Sequence, residues 1–255
     1  MRFGLNLFSI RSLIKEDQYL ETTLKLKQMG YEYVQYSGAP FNATLIKNVQ
    51  EKTGLKVVLT HVPMLDILEN TQRLIDEHNA FGCKNIGLGM MPLDIIKDEK
   101  KCLETIDKLN EAGKYMTSQG SKLFYHFHHF EFLKLSNGQM IIDYMIDNCP
   151  YINFTADTYW IQFGGVDVNE YLMKMKGRIE CIHLKDYRII VNNNGELIPA
   201  FAPLGSGNLN ISKIIETAKE AGCQYFLVEQ DDAVNYPDPL EQIKTSIDYL
   251  KQKFI

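Results

Sequence analysis

The sequence predicts a single (β/α)8 TIM barrel, one α/β domain spanning residues 1–255, and three observations carry that expectation. Short β-rich runs alternate with longer amphipathic runs from end to end. Glycine closes several of the amphipathic runs just before the next β-rich run: Gly30, Gly54, Gly120 and Gly222. Glycine there takes the left-handed conformation that ends a helix. No phosphate-binding glycine loop follows the first β run, where Asn6-Leu7-Phe8-Ser9-Ile10-Arg11 stands, so an open doubly wound sheet is the weaker architecture.

Taken in order, strands are expected at Arg2–Phe8, Tyr31–Tyr36, Leu55–His61, Asn85–Met90, Lys122–His128, Ile152–Asp157, Ile179–Leu184 and Tyr225–Glu229. The helices between them are expected at Lys15–Met29, Asn42–Thr53, Leu65–Phe81, Lys97–Ser118, Gln139–Asn148, Val168–Lys176, Ile211–Ala221 and Asp238–Lys253. One long stretch, Tyr187–Asn208, is rich in Asn, Gly and Pro. It reads as an irregular functional lid after the seventh strand.

With 45% hydrophobic and 23% charged residues the chain is of ordinary globular composition, long enough to bury a full core. A net charge of −5 argues against a nucleic-acid partner, which would want a basic surface. The five cysteines (Cys83, Cys102, Cys149, Cys181 and Cys223) are scattered, and none forms a C-x-x-C pair. They suit free buried thiols in a reducing compartment. No signal segment opens the sequence and no run of about 18 apolar residues occurs. The expected location is cytoplasmic, with no membrane partner; a homo-oligomer is left open, because nothing marks an interface.

Barrel chemistry sits at the C-terminal ends of the strands. The last four predicted strands end in or near Glu131, Asp157, His183 and Glu229, each able to ligate a metal. Asp157 follows Glu131 by 26 residues and His183 follows Asp157 by 26, while Glu229 lies 46 further on, across the Asn- and Gly-rich stretch. The four therefore recur with the βα unit. Glu229 follows Phe226-Leu227-Val228, and a carboxylate behind such an apolar run needs a cation or a hydrogen-bond network to offset its desolvation. Three carboxylates and one imidazole make a hard, oxygen-rich set for one divalent ion. Mn²⁺, Mg²⁺ or Co²⁺ is favoured over Zn²⁺.

At these positions the chain resembles the sugar phosphate isomerase/epimerase group of xylose-isomerase-like barrels. The motifs are Tyr125-His126-Phe127-His128-His129-Phe130-Glu131-Phe132, Asp157-Thr158-Tyr159-Trp160, His183-Leu184-Lys185-Asp186 and Val228-Glu229-Gln230-Asp231, with Pro203–Leu209 similar to the loop entering the seventh helix. The resemblance implies that Glu131, Asp157, His183 and Glu229 bind the metal, and that Glu131 and Glu229 are the catalytic acid and base on opposite faces of a keto sugar. A metal on a carbonyl and its neighbouring hydroxyl acidifies the carbon-bound proton between them. Removing that proton gives an enediolate, and returning it at either carbon gives epimerisation or isomerisation.

The chain departs from that group at Phe127, where many relatives have Asn, at Gln35, where an acidic residue is common, and at Trp160, where some epimerases have His. Strict strand alternation puts His126 and His128 on one face and Glu131 on the other. Glu131 can join the mouth only where the strand ends or bulges after His128, which is the expectation adopted. His61, His126, His128, Trp160, Lys185 and Arg188 are candidate substrate contacts, although Lys185 could equally pair with Asp186 or another carboxylate. The expected activity is a metal-dependent isomerase or epimerase on a keto sugar, polyol derivative or sugar phosphate, with an unphosphorylated substrate favoured because no phosphate cradle is evident. The alternative is a lyase or dehydratase on a keto sugar or inosose using the same metal. An endonuclease for damaged DNA, which needs about three metals and more histidines, and a non-catalytic sugar-binding protein rank below both.

Overall fold

The structure, a computed structural model, describes every residue from Met1 to Ile255. Eight parallel strands close into a barrel in the order β1-β10-β7-β6-β5-β4-β3-β2. They are β1 Gly4–Asn6, β2 Tyr33–Tyr36, β3 Lys56–Val62, β4 Asn85–Leu88, β5 Lys122–His126, β6 Ile152–Asp157, β7 Cys181–Leu184 and β10 Tyr225–Val228. Parallel neighbours need crossover connections, and helices supply them around the outside. No helix is long and apolar enough to cross a membrane.

The predicted helix ends fall where the backbone chemistry put them. Gly30 and Gly54 adopt φ of 98° and 72°, and each N–H closes the last turn of the preceding helix. Asp98 caps the helix Glu99–Ser118 by accepting from the Lys101 N–H. Two expected elements are shorter or split. The first strand gives way at Leu7 to a 3-10 turn, Leu7–Leu13. The run Leu65–Phe81 forms two helices, Met64–Glu69 and Thr71–Ala80, because Asn70 leaves helical geometry at φ −125°, ψ 30°.

Most of the apolar core, 60 buried residues, lies in one cluster. A separate set of six, Tyr33, Val58, Leu59, Phe124, Cys181 and Leu227, contains residues from β2, β3, β5, β7 and β10 and plugs the barrel. Tyr33 knits the closure: its hydroxyl donates to the Arg2 carbonyl and accepts from the Phe226 N–H, both at 2.9 Å. With the lower barrel filled by side chains, the open end is the C-terminal mouth. All five cysteines are free and buried.

The stretch Tyr187–Asn208 is more ordered than expected. It carries an antiparallel ribbon, β8 Asp186–Val191 with β9 Leu197–Ala202, turning through Asn192–Gly195. Asp186 accepts backbone N–H groups of Tyr187, Gly205, Gly207 and Leu209 at 2.8–3.2 Å, so one carboxylate gathers both ends of the ribbon.

Candidate metal and active site

The strand pleat decides which side chains enter the mouth. On β5 the inward positions are Phe124 and then His126, and the strand ends there, two residues earlier than expected. Asp157 ends β6 and at once caps the next helix: its Oδ1 accepts from the Tyr159 and Trp160 N–H groups at 3.0 Å. That fixes the carboxylate and leaves Oδ2 for the mouth. His183 lies one pleat beyond Cys181 on β7, in register with Asp157. Glu229 follows β10, its N–H bonded to the Leu184 carbonyl.

One ligand atom from each of His126, Asp157, His183 and Glu229 lies within 4.8 Å of the others, and all four residues are buried. The hydrogen bonds around them assign the tautomers. His183 Nε2 donates to Gln35 Oε1 at 2.7 Å, which leaves a lone pair on Nδ1. That lone pair faces Glu229 Oε2 at 2.7 Å, and neither atom has a hydrogen-bond partner. His126 Nδ1 donates to the Gly89 carbonyl at 3.0 Å, and its Nε2 stands 3.4 Å from Asp157 Oδ2. Gly89 has to be glycine, since a Cβ would press on His61 Nδ1 at 2.8 Å. Acceptors converging in this way repel one another unless a proton or a metal ion sits between them. The four residues therefore fit a single divalent cation.

Electrostatics agree. Burial alone would push His183 down, but Glu229 and Asp157 outweigh it and hold it at about 9, so the carboxylates favour positive charge at Nδ1, carried by a proton where no metal ion sits. Burial would raise Asp157 and Glu229, yet Lys185 and the neighbouring histidines hold both well below the usual carboxylate range. Burial, then His126 and Lys185, push His128 down to about 2, and burial together with the other histidines keeps His61 neutral. The Lys185 ammonium, 1% exposed, lies 2.8 Å from Asp157 Oδ2, 3.4 Å from Glu229 Oε2 and 3.0 Å from Asp231 Oδ1. The rings of Trp160 and Phe201, at 5.3 and 5.6 Å, back it from the ribbon side.

The description of the xylose isomerase-like TIM barrel matches residues 24–253 of the sequence. The chain belongs to that family. An inosose dehydratase of Clostridium perfringens is 26% identical over 215 residues, covering 72% of this chain and 71% of the relative. A sugar phosphate isomerase/epimerase of Parabacteroides distasonis superposes with a TM-score of 0.82 at 23% identity, over 99% of this chain and 98% of its own. A xylose isomerase-like TIM barrel protein of Mycobacterium smegmatis, solved with magnesium, superposes at 0.73 with 16% identity over 98% and 95%.

Within this xylose isomerase-like barrel the predicted residues separate. Asp157, His183 and Glu229 come together, but the structure does not bring Glu131 to them. Glu131 lies in the 3-10 turn His129–Phe132, fully buried, where its oxygens accept from the Tyr125 hydroxyl at 2.7 Å and the His128 N–H at 2.8 Å. His126, expected as a substrate contact, takes the fourth place because the strand ends at the inward-facing residue. His61, His128 and Lys185 line the cavity above the group; Trp160 and Arg188 lie outside that lining. Arg188 sits on the ribbon opposite Ala200. Lys185 does not pair with Asp186, whose carboxylate is taken up by the ribbon. Sequence reasoning missed Gln35 and Asp231. Gln35 bridges two histidines, also donating to His61 Nε2 at 2.9 Å, and its signal was a polar residue at an inward strand end. Asp231 had a weaker one, its position two residues past Glu229.

Proposed function

We propose that this barrel is a metal-dependent lyase of the dehydratase type, acting on a polyhydroxy ketone such as a keto sugar or an inosose. The observation that carries the reading is the inequality of the two glutamates. Glu229 lines the cavity within the donor group, whereas Glu131 is closed off by Tyr125 and the His128 backbone. Glu229 can take a carbon-bound proton, and the second carboxylate of the lining, Asp231, follows it after the same strand, so none stands on the opposite wall to return it, as epimerisation between two carboxylates requires. Nor can His126 replace Glu131, since its Nδ1 proton is committed to Gly89. Elimination needs one base and one donor for the departing hydroxyl. The inosose dehydratase relative supports this choice.

A divalent ion held by His126, Asp157, His183 and Glu229 would polarise the ketone oxygen and acidify the adjacent C–H bond. Two imidazoles with two carboxylates suit Mn²⁺, Co²⁺ or Zn²⁺ better than the oxygen-rich set would, at the expense of Mg²⁺. Glu229 would remove the proton. Lys185, held charged by Asp157, Glu229 and Asp231, would keep Glu229 ionised as the base and place positive charge beside the oxygen on which negative charge develops. Glu229 would then hand that proton to the departing hydroxyl on the same face, so that it leaves as water along a path bordered by the neutral His61 and His128.

An isomerase remains the second reading, favoured by the single base itself, since Glu229 could return the proton to the neighbouring carbon on the same face. Incubation with keto sugars and inososes in deuterated water separates the two. The dehydratase yields an unsaturated ketone, seen by its ultraviolet absorbance, and loses turnover on chelation. Deuterium returned to an intact sugar would select the isomerase, and full activity after chelation would sink both.

A further inference from the structure

The cavity over the donor group encloses about 630 Å³. Pockets of roughly 300–1,000 Å³ take drug-sized molecules, and this one holds more than a single sugar ring fills. Its flanks differ in chemistry. The ends of β5, β7 and β10 supply His126, His128, Lys185, Glu229 and Asp231. From the ends of β1 to β4 and the loops after them come Phe8, Phe41, Val62, Met64, Leu88 and Met90, and no charged side chain.

That apolar flank is preformed. Arg11 stacks on the Phe8 ring at 4.3 Å while its Nη1 donates to the Phe8 and Asp231 carbonyls, bracing one flank against the other. Phe41 stacks on buried His78 at 4.8 Å with 10° between the rings. Met90 is nevertheless 47% exposed, apolar surface left open at the mouth. Lys185 is the one Lys or Arg in the lining, and its ammonium already serves Asp157, Glu229 and Asp231. A phosphate group in the substituent's place on the apolar flank would meet no Lys or Arg of the lining, where phosphate recognition calls for Arg, Lys or free N–H groups.

We infer that the substrate is a neutral conjugate: a polyhydroxy ketone carrying an uncharged apolar substituent, such as an aryl or alkyl aglycone. The substituent lies along Phe8, Phe41, Met64 and Met90, and the ketone part meets Glu229 and Lys185. The inference rests on the proposed proton abstraction from a ketose, and its test separates the two. Calorimetric titration compares matched ligands: a free ketose, its methyl conjugate, its phenyl conjugate and its phosphate ester. Solvent-deuterium exchange is followed on the same compounds with Mn²⁺ present. The phenyl conjugate is expected to bind at least about tenfold tighter than the free ketose, since even one methylene in an apolar pocket is worth that much. The phosphate ester is expected to bind weakest. Met64→Gln is expected to narrow the phenyl-to-free ratio. Equal or tighter binding of the free ketose or the phosphate ester overturns the inference, whatever exchanges deuterium. Tight phenyl-conjugate binding with no exchange on any ketose upholds the inference and removes the proposed reaction.

Discussion

At the ends of β1 to β4 the barrel mouth presents Asn6, Gln35, His61 and Gly89; at the ends of β5, β6, β7 and β10 it presents His126, Asp157, His183 and Glu229. Both quartets come from the same repeating unit. Only the second holds charge, and only the second converges on one point. The first reaches across to hold it in place: Gln35 accepts from His183, Gly89 from His126, and the Asn6 amide lies 3.4 Å from His183 Nε2. Outer hydrogen bonds of this kind fix the tautomer and aim of a ligand. A barrel can thus divide its mouth, with one half carrying the charged groups and the other orienting them.

The division is best broken at its charged half. Glu229→Gln removes the proposed base while keeping an oxygen for the metal. Turnover is expected to fall by on the order of 10³-fold, with metal retention followed by titration; a variant within tenfold of the parent would remove Glu229 from the chemistry. Lys185→Met leaves Asp157, Glu229 and Asp231 without their shared ammonium. Breaking a buried pair in this way costs about 3–5 kcal/mol, measurable by urea denaturation. Added Mn²⁺ is expected to recover more stability in this variant than in the parent, because the ion replaces the missing charge.

The orienting half predicts smaller effects. Gln35→Leu deprives His183 and His61 of their bridge, and metal affinity is expected to drop about 10- to 100-fold. An unchanged dissociation constant would show that the bridge does not orient His183. Glu131 gives the smallest effect and a pH signature. Burial holds it at about 7 in the fold against an ordinary 4.5, so the protonated form favours folding. Its contribution is complete below about pH 4.5 and is lost as the pH rises through 7. Glu131→Gln, neutral throughout, is expected to flatten that segment by about 1–3 kcal/mol. A difference between parent and variant that stays constant from pH 4.5 to 8 would rule out this titration.

The barrel was legible because its signals are periodic: alternating runs, glycine stops and strand ends spaced by the βα unit. What was not legible depended on single turns. Glu131 and His126 are five residues apart, and choosing between them required knowing that β5 stops at His126 and a 3-10 turn follows. Alternation alone already set Glu131 on the wrong face; the spacing of 26 residues to Asp157 outweighed it. The ribbon carried a readable mark, since β-branched Ile189-Ile190-Val191 precedes Asn194-Gly195, a favoured hairpin turn. Its Asn and Gly content hid the mark. Lys185 could not be assigned, because a lysine just after β7 among three carboxylates from the ends of β6 and β10 is a long-range fact.

The four N–H groups gathered by Asp186 have a consequence for how this chain can vary. They tie Tyr187 to Gly205, Gly207 and Leu209, so the ribbon leaves and re-enters the barrel at one stapled point. Beyond that staple, extra length costs only the slowly growing entropy of a longer loop. The tip, Asn192–Gly195, is therefore a port where residues can be added or removed without disturbing the strands. The base is not editable, because it is also where Lys185 leaves β7.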